Sequence, residues 1–431
     1  MLEVSKIINK SSFYRCSIIC PAIKYNSLKI NTDDRLNEII GLAKSIKLEV
    51  LCYRNVDIVL PKPSTYLGRG FLNEHKLTIK NLNIDIFILD AELTPIQQRN
   101  LEKFLECKVI DRKGLILEIF GSRAKTKEGK IQVELASLNY QKSRLVKSWT
   151  HLERQRGGGG FLGGPGERQL ESDRRQISNR IKNLQGSLKK IIKSRNVQRA
   201  SRVNAPFPVI AIVGYTNAGK STLFNYLTES SVLAKDMLFA TLDPNMRLKE
   251  FNNGIKGIFS DTVGFISDLP HELVAAFSAT LEEVKLANII LHVQDVSNDS
   301  YEKQSKEVKK ILTQIGIGEN ISLFNIFNKS DLISNSNIYN LQEFCKNNSK
   351  SYLISSKSGM GIDSMLDGIY DELTINRLTY KFKLDHSKGD QIAWLYRRGE
   401  IISKSITSKS LILYVKMELE DFNRFQKKFI I

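Results

Sequence analysis

A glycine-rich loop carrying one lysine and one serine is the clearest chemical feature of this sequence. It has the pattern G-x-x-x-x-G-K-S and lies between an apolar run at 209–213 and a helical pattern. Glycines allow backbone N–H groups to converge on a phosphate, lysine can neutralise β- and γ-phosphate oxygens, and serine can offer a hydroxyl to Mg²⁺. The loop therefore predicts a nucleoside triphosphate site made by Gly214, Tyr215, Thr216, Asn217, Ala218, Gly219, Lys220, Ser221 and Thr222.

Two later segments could complete the phosphate and magnesium end of this site. An aspartate ends the apolar run before the segment Asp261, Thr262, Val263 and Gly264. Its carboxylate can hold Mg²⁺ through water, and the glycine amide can sense a γ-phosphate. A threonine lies midway between Ser221 and Asp261, in the segment Phe239, Ala240, Thr241, Leu242 and Asp243.

The hydroxyl of Thr241 would complete the Mg²⁺ shell only when GTP is bound, so that its loop orders with GTP and loosens with GDP. The alternative is a threonine that only caps a helix or forms a turn. With the first interpretation, the expected metal ligands are Ser221, Thr241 and Asp261.

The next motif can select the base of the nucleotide. Asn328, Lys329, Ser330 and Asp331 follow another apolar run. The carboxylate of Asp331 can accept from the N1–H and 2-amino groups of guanine, a donor pattern that adenine lacks. We expect Lys329 to lie over the ring and Asn328 to brace the loop. Guanine O6 could take a backbone amide from Ser355, Ser356 and Lys357, which follow a further short strand pattern.

The residue after Gly264 bears on the rate of hydrolysis. It is Phe265, whereas many small GTPases have a glutamine there that orients the attacking water. Because phenylalanine cannot do this, we expect slow hydrolysis by the free protein and acceleration by a partner. Asn217 could help to ligate a monovalent cation, K⁺, near the phosphates. Hydrolysis that is insensitive to potassium would remove this role.

Strand and helix patterns divide the chain into four predicted parts. Strand–helix–strand patterns predict a parallel α/β domain over 1–120 and a second α/β domain, the GTPase domain, over 205–375. A run at 84–90 reads as a strand, and Thr94 and Pro95 read as the cap and first turn of a helix. Residues 376–431 predict a small C-terminal α+β domain. The predicted fold class is therefore multidomain α/β.

Residues 121–204 predict a basic antiparallel helical hairpin. Two apolar stripes at helical spacing flank the glycine-rich segment 157–166, and the first contains Ile131, Leu135, Leu138 and Leu145. The second stripe is Leu170, Ile177, Ile181, Leu184, Leu188 and Ile191. A helix of about 30 residues would be about 45 Å long. This segment holds 20 Lys/Arg against 6 Asp/Glu, a net +14 of the chain's +18, which favours a nucleic-acid partner.

Composition excludes several other classes. The sequence has no apolar run of the roughly 18–20 residues that a membrane-spanning helix needs, and its N-terminus lacks the pattern of a secretory signal. The five cysteines are scattered, which argues against a disulfide scaffold. We therefore expect a cytoplasmic protein with no stable membrane partner, and a monomer.

Together these motifs resemble the HflX family of ribosome-associated GTPases over nearly the whole chain. The specific stretches are WTHLERQRGGGGFLGGPGERQLESDRRQI, GYTNAGKSTLFN, LFATLDP, DTVGFISDLPHELVAAFSATLEEV, FNKSD, TYLGRGFLNE and DAELTPIQQRNLEKFLECKVIDRKGLILEIF. Phe265 agrees with the family pattern. Arg168 stands where we expect threonine, and Asn245 stands where threonine is common.

The resemblance implies a GTP hydrolase that uses Mg²⁺, cycles between GTP and GDP and is stimulated by the ribosome. It also implies GTP-dependent binding to the large (50S) ribosomal subunit and its rRNA, and splitting of stalled or idle 70S ribosomes. An alternative is a checkpoint factor for 50S assembly without splitting activity. A signalling GTPase that acts on a protein or membrane partner is a third hypothesis, against which the basic hairpin argues.

Overall fold

The structure, a computed structural model, is described here for eleven ranges of the chain. They are residues 14–23, 32–149, 165–203, 207–229, 245–251, 255–262, 264–266, 284–317, 321–375, 377–407 and 410–429. Within these ranges, no helix combines the length and the apolar character needed to cross a membrane.

The first part of the chain alternates strands and helices. The elements are β1 (Arg15–Ile23), α1 (Thr32–Ser45), β2 (Glu49–Ile58), α2 (Arg69–Leu82), β3 (Ile86–Leu89), α3 (Pro95–Leu105), β4 (Lys108–Asp111) and α4 (Arg112–Arg123). The strands are parallel in the order β2-β1-β3-β4, with an apolar cluster on each face. The strand predicted at 84–90 is β3. Thr94 caps α3 in a reciprocal capping box with Gln97, and Pro95 is its first residue.

Two long helices follow, α5 (Lys127–Trp149) and α6 (Pro165–Val203). Their shared seam is the apolar cluster Ile131, Leu135, Ile181 and Leu184, against which Leu138, Ile177, Leu188 and Ile191 pack. The seam therefore contains every described member of the two predicted stripes except Leu145. The helices are antiparallel, since Glu134 of α5 pairs with Arg180, whereas the later Leu145 lines the same cavity as the earlier Ile177. With 39 residues α6 is about 58 Å long, longer than expected. The glycine-rich residues 157–164 and the side chain of Leu170 lie outside the described part.

The second α/β part carries the glycine-rich loop. Its elements are β5 (Val209–Gly214), α7 (Lys220–Thr228), β6 (Asn245–Glu250), β7 (Lys256–Asp261), β8 (Ile289–Asp295), α8 (Tyr301–Gln314), β9 (Ser322–Asn328), α9 (Asn335–Asn347), β10 (Ser351–Leu353) and α10 (Ile362–Thr374). The strand order is β10-β9-β8-β5-β7-β6, and only β6 among these pairs is antiparallel to its neighbour. The predicted multidomain α/β fold class is confirmed.

The last part is a small antiparallel sheet with helices. It consists of β11 (Arg377–Leu384), α11 (Gly389–Arg398), β12 (Glu400–Ile406), β13 (Leu411–Glu418) and α12 (Leu419–Phe429). The strand order is β11-β13-β12. Alternate apolar residues of β13 face an aromatic cluster that includes Phe425, as expected for a sheet covered on one face.

Candidate functional site

The predicted site residues gather at one edge of the second sheet. Parallel strands β5, β7, β8 and β9 end there at Gly214, Asp261, Asp295 and Asn328. The carboxyl edge of such a sheet is where ligands bind in open α/β folds. The parallel topology therefore brings together, at one edge of the sheet, motifs that extend from Gly214 to Lys357 in the sequence.

Two glycines of the loop 214–221, called the phosphate loop below, leave no room for a side chain: one faces backbone and the other faces a side-chain amide. A Cβ on Gly214 would lie 2.2 Å from the Val293 carbonyl oxygen, and one on Gly219 would lie 2.2 Å from Asn328 Nδ2. Gly219 also has φ +92°, and Asn217 between them has φ 61°. Left-handed residues of this kind occur in the backbone pattern of anion-binding nests.

Lys220 begins α7 and is almost wholly buried at the centre of the site. Its Nζ donates to the Tyr215 carbonyl oxygen at 2.6 Å. Burial lowers the pKa of Lys220 to about 8, although the nearby carboxylate of Asp261 opposes this shift. Among the described residues, Lys220 Nζ has no ion pair within 4 Å, so an anionic ligand would raise its pKa again and favour its charged form.

Two of the three predicted magnesium ligands are in contact. Ser221 Oγ donates to Asp261 Oδ2 at 2.8 Å, and Asp261 is fully buried. A hydroxyl and a carboxylate beside a phosphate-binding loop match the oxygen donors that Mg²⁺ prefers. The third, Thr241, lies outside the described residues, as do Phe239, Ala240, Leu242, Asp243 and Val263.

The segment after Asp261 passes close to the lysine. A Cβ on Gly264 would lie 2.9 Å from Lys220 Nζ and 2.9 Å from Thr216 Cγ2, so only glycine fits without displacing its neighbours. The neighbouring Thr262 Oγ1 donates to the Ile212 carbonyl oxygen at 2.7 Å. Phe265 is 3% exposed, and its apolar side chain offers no group that could orient water.

The proposed base end is tied together by side-chain hydrogen bonds. Asn328 Nδ2 donates to the Ala218 carbonyl oxygen at 2.8 Å, and Asn328 Oδ1 accepts from Ser356 N and Ser356 Oγ, each at 2.9 Å. Ser355 Oγ donates to Asp331 Oδ1 at 2.6 Å. Asn328 thus braces the phosphate loop against the segment that contains Ser356, as predicted. The Asp331 carboxylate is oriented by Ser355 and lies at the surface.

Sequence reasoning missed one residue at this end. Asp295, the last residue of β8, accepts from Lys329 Nζ at 2.6 Å, and Lys329 itself has a left-handed φ of 66°. The position of Asp295 at the end of a strand was the sequence signal that could have identified it. Thr222 and Lys357 are exposed beside the site, and the buried hydroxyl of Ser330 has no hydrogen-bond partner among the described residues.

Comparison with known proteins gives matches along most of the chain. Three family models match the chain. They are described as GTP-binding GTPase N-terminal, over 33–121, GTP-binding GTPase middle region, over 123–202, and 50S ribosome-binding GTPase, over 209–329. The chain is 45% identical to GTPase HflX of Magnetococcus marinus over 367 residues, which are 85% of this chain and 84% of that protein. It is 39% identical to GTPase HflX of Escherichia coli over 394 residues, 91% and 92% of the two chains.

Proposed function

The chain belongs to the HflX family of GTPases, and on that premise we propose that it binds the large ribosomal subunit in its GTP state and splits stalled or idle 70S ribosomes. Hydrolysis of GTP then releases it. The observation that carries this proposal is that one chain, whose relatives are GTPases, brings the phosphate and base motifs together at one sheet edge and also has a long basic hairpin.

The site residues divide into three roles. Backbone amides of the loop 214–219 and the ammonium of Lys220 hold the phosphates, and Asp331 selects guanine. Ser221 and Asp261 are the described residues that would hold Mg²⁺, with Thr241 as a third ligand in the GTP state. The cation supplies charge neutralisation between the β- and γ-phosphates when it is bound. Gly264 supplies an amide that can donate to a γ-phosphate oxygen.

Slow hydrolysis by the free protein follows from the buried, apolar side chain of Phe265. Ordering of the attacking water must come from a group other than this residue, and ribosome binding is the proposed source of the stimulation. Asn217 is exposed in the loop, where its side chain could ligate K⁺ beside the phosphates. A tenfold or greater loss of rate when K⁺ is replaced by Li⁺, at constant ionic strength, would support that second role.

The hairpin is suited to contact ribosomal RNA. The apolar side chains of the seam pack between the helices, whereas Arg174, Lys182, Lys189, Lys190 and Lys193 of α6 are all exposed. Such a solvent-facing row can neutralise phosphates and release counterions. The 50S ribosome-binding description of the matched GTPase region agrees with this choice of polyanion.

Ribosome pelleting tests the switch. We expect the protein to pellet with 50S subunits in the presence of a non-hydrolysable GTP analogue and to stay in solution with GDP. Reversing Lys189 and Lys190 to glutamate should weaken binding and reduce the slope of log K against log [salt] by about 2. The matched control reverses Lys306 and Lys310, which are exposed on α8. Equal pelleting with both nucleotides would contradict the proposal.

Sucrose gradients separate splitting from the alternative role as an assembly checkpoint. Free subunits appearing when purified 70S ribosomes meet protein and GTP support splitting. Unchanged 70S peaks, together with binding to 50S precursors, support the assembly role.

A further inference from the structure

A buried polar chain connects the first sheet to the phosphate loop of the second. At the end of β3, Asp90 accepts from Arg112 Nη1 at 2.8 Å and from Arg35 Nε at 2.6 Å. Arg112 Nη2 donates to Glu38 Oε2 at 2.9 Å. The other carboxylate oxygen of Glu38 accepts from the Tyr215 hydroxyl at 2.7 Å, across 177 residues of sequence. The second residue of the phosphate loop is therefore bonded to helix α1.

Most of these hydrogen-bonded side chains are out of contact with bulk water. The side chains of Asp90 and Arg112 are 0% and 3% exposed, and that of Glu38 is 14% exposed. Burial alone would raise the pKa of Asp90, but Arg112 and Arg35 outweigh it and hold that pKa below its ordinary value. Buried charged hydrogen bonds of this kind are strong and directional, so Arg112 fixes the orientation of Glu38.

Tyr215 also contacts the residues that would surround the γ-phosphate. Its carbonyl oxygen is the acceptor for Lys220 Nζ. It also forms a parallel bridge with Phe265, in which Phe265 N donates to the Gly214 carbonyl and Thr216 N donates to the Phe265 carbonyl at 2.7 Å. The tyrosine thus fixes both the lysine and the segment that begins at the γ-phosphate sensor.

Apolar packing holds the same two segments together. Tyr215 and Phe265 are buried in one continuous cluster with Leu36 and Ile39 of α1. The hydroxyl bond to Glu38 is therefore the polar centre of a packed interface, where a small displacement is not absorbed by loose side chains.

We propose that Glu38, oriented by Arg112, is a positioning residue for GTP hydrolysis, which acts through Tyr215 on Lys220 and the Gly264–Phe265 segment. The inference rests on the proposed GTP site and goes beyond it, because it places part of the hydrolytic apparatus in the N-terminal sheet. Phosphoryl transfer depends on positioning and electrostatic stabilisation. Loss of the contact therefore lowers kcat more than nucleotide affinity.

The test is a double-mutant cycle on the intrinsic GTPase activity of the full chain, measured without ribosomes. Tyr215→Phe removes only the hydroxyl, and Glu38→Gln removes the charge that Arg112 orients. We expect Tyr215→Phe to lower kcat about tenfold, near the effect of one hydrogen bond to a charged group, and to leave the GDP Kd within about threefold. Glu38→Gln alone should lower kcat by a similar factor, and the double variant should match the more impaired single variant within about twofold, because both changes break one route.

The matched control is Ser300→Ala, which removes a different bond between the same two parts of the protein. Ser300 Oγ donates to Asp34 Oδ2, also on α1, and we expect kcat to stay unchanged. Unchanged kcat in Tyr215→Phe, an increase in kcat, or an effect of the double variant equal to the product of the single effects would overturn the inference. Thermal unfolding of each variant separates a kcat effect from a loss of folded protein.

These outcomes are distinct from those for the proposed function. A non-additive cycle in a protein that does not pellet with 50S subunits refutes only the ribosomal role. A multiplicative cycle in a protein that pellets in a GTP-dependent way refutes only the positioning role of Glu38.

Discussion

Asp331→Asn alters one carboxylate whose geometry is already set by the protein. Ser355 Oγ donates to Asp331 Oδ1 at 2.6 Å, and the residue is otherwise exposed at the end of the Asn328 loop. The carboxylate can therefore accept from two guanine donors, N1–H and the 2-amino group, without moving. An asparagine of the same shape would keep the serine contact but would present an NH₂ group to at least one of those donors.

The expected loss follows from the hydrogen bonds involved. A bond to a charged acceptor contributes about 1.5–3 kcal/mol, and a donor left facing a donor adds the cost of an unmade bond. Two such bonds weakened together give about 3–4 kcal/mol, which corresponds to a rise of roughly 100- to 1000-fold in the GDP Kd. Xanthine carries a carbonyl in place of the 2-amino group, so it can accept from the new amide. The affinity for xanthosine diphosphate should rise correspondingly.

Calorimetry with GDP and with xanthosine diphosphate, each with Mg²⁺, measures both affinities. Asp363→Asn is the matched control, since Asp363 is an exposed aspartate at the start of α10, and its GDP Kd should not change. A folded Asp331→Asn protein with the GDP Kd of the parent would show that the guanine assignment is wrong. Loss of affinity for both nucleotides would also contradict it, because the phosphate contacts do not involve this side chain.

Three further predictions concern the loop, the buried ion pairs and pH. Gly219→Ala should raise the GDP Kd at least tenfold in calorimetry, because its Cβ would meet Asn328 Nδ2 at 2.2 Å. Asp90→Asn should lower the free energy of unfolding in urea by about 3–5 kcal/mol, because Arg112 loses a buried partner. The difference should begin to fade below about pH 4, where the carboxylate of the unfolded parent protonates, and should vanish only at the lower pH where the native carboxylate protonates. The GDP Kd should rise about fourfold from pH 7 to 8.5, because free Lys220 has a pKa of about 8 and phosphates bind its charged form.

Each of these has a control in the same chain. Gly316→Ala also places alanine at a positive φ, +87°, but with no atom within 4 Å of the new Cβ, so nucleotide affinity should stay unchanged. Asp363→Asn removes an exposed carboxylate and should alter stability little. Lys220→Arg keeps its charge throughout this pH range, so any remaining affinity of that variant should not fall between pH 7 and 8.5; an equal fall would place the titration elsewhere.

Local sequence was sufficient for the features that depend on near neighbours. The spacing of Gly219 and Lys220, the strand-end position of Asp261 and the capping pair at Thr94 are each encoded within a few residues. The apolar stripes also predicted the hairpin seam, because helical periodicity fixes which side chains share a face. Parallel strands then bring their carboxyl ends to one edge, which is why motifs far apart in sequence met where expected.

Contacts that depend on how the two α/β parts pack could not be predicted from local sequence. Glu38 looks in sequence like any exposed helical glutamate, and nothing local indicates that it meets Tyr215. Asp90 was recognised only as the end of a strand, because its two arginine partners are distant in the chain. The same limit applies to Asp295, whose partner Lys329 comes from a separate motif.

Two adjacent residues connect the hairpin to the nucleotide site: Asp111, the last residue of β4, and Arg112, the first residue of α4. Tyr140 and Arg144 of α5 donate to the two carboxylate oxygens of Asp111, at 2.5 Å and 2.7 Å. Asp111 caps α4, and the first residue of α4 is Arg112, which orients Glu38. On the proposed function, a force that RNA exerts on α5 would therefore act on the start of the helix whose arginine orients Glu38. The two sets of hydrogen bonds are joined only by the backbone between Asp111 and Arg112, so a displacement of α5 would reach Glu38 through the first turn of α4.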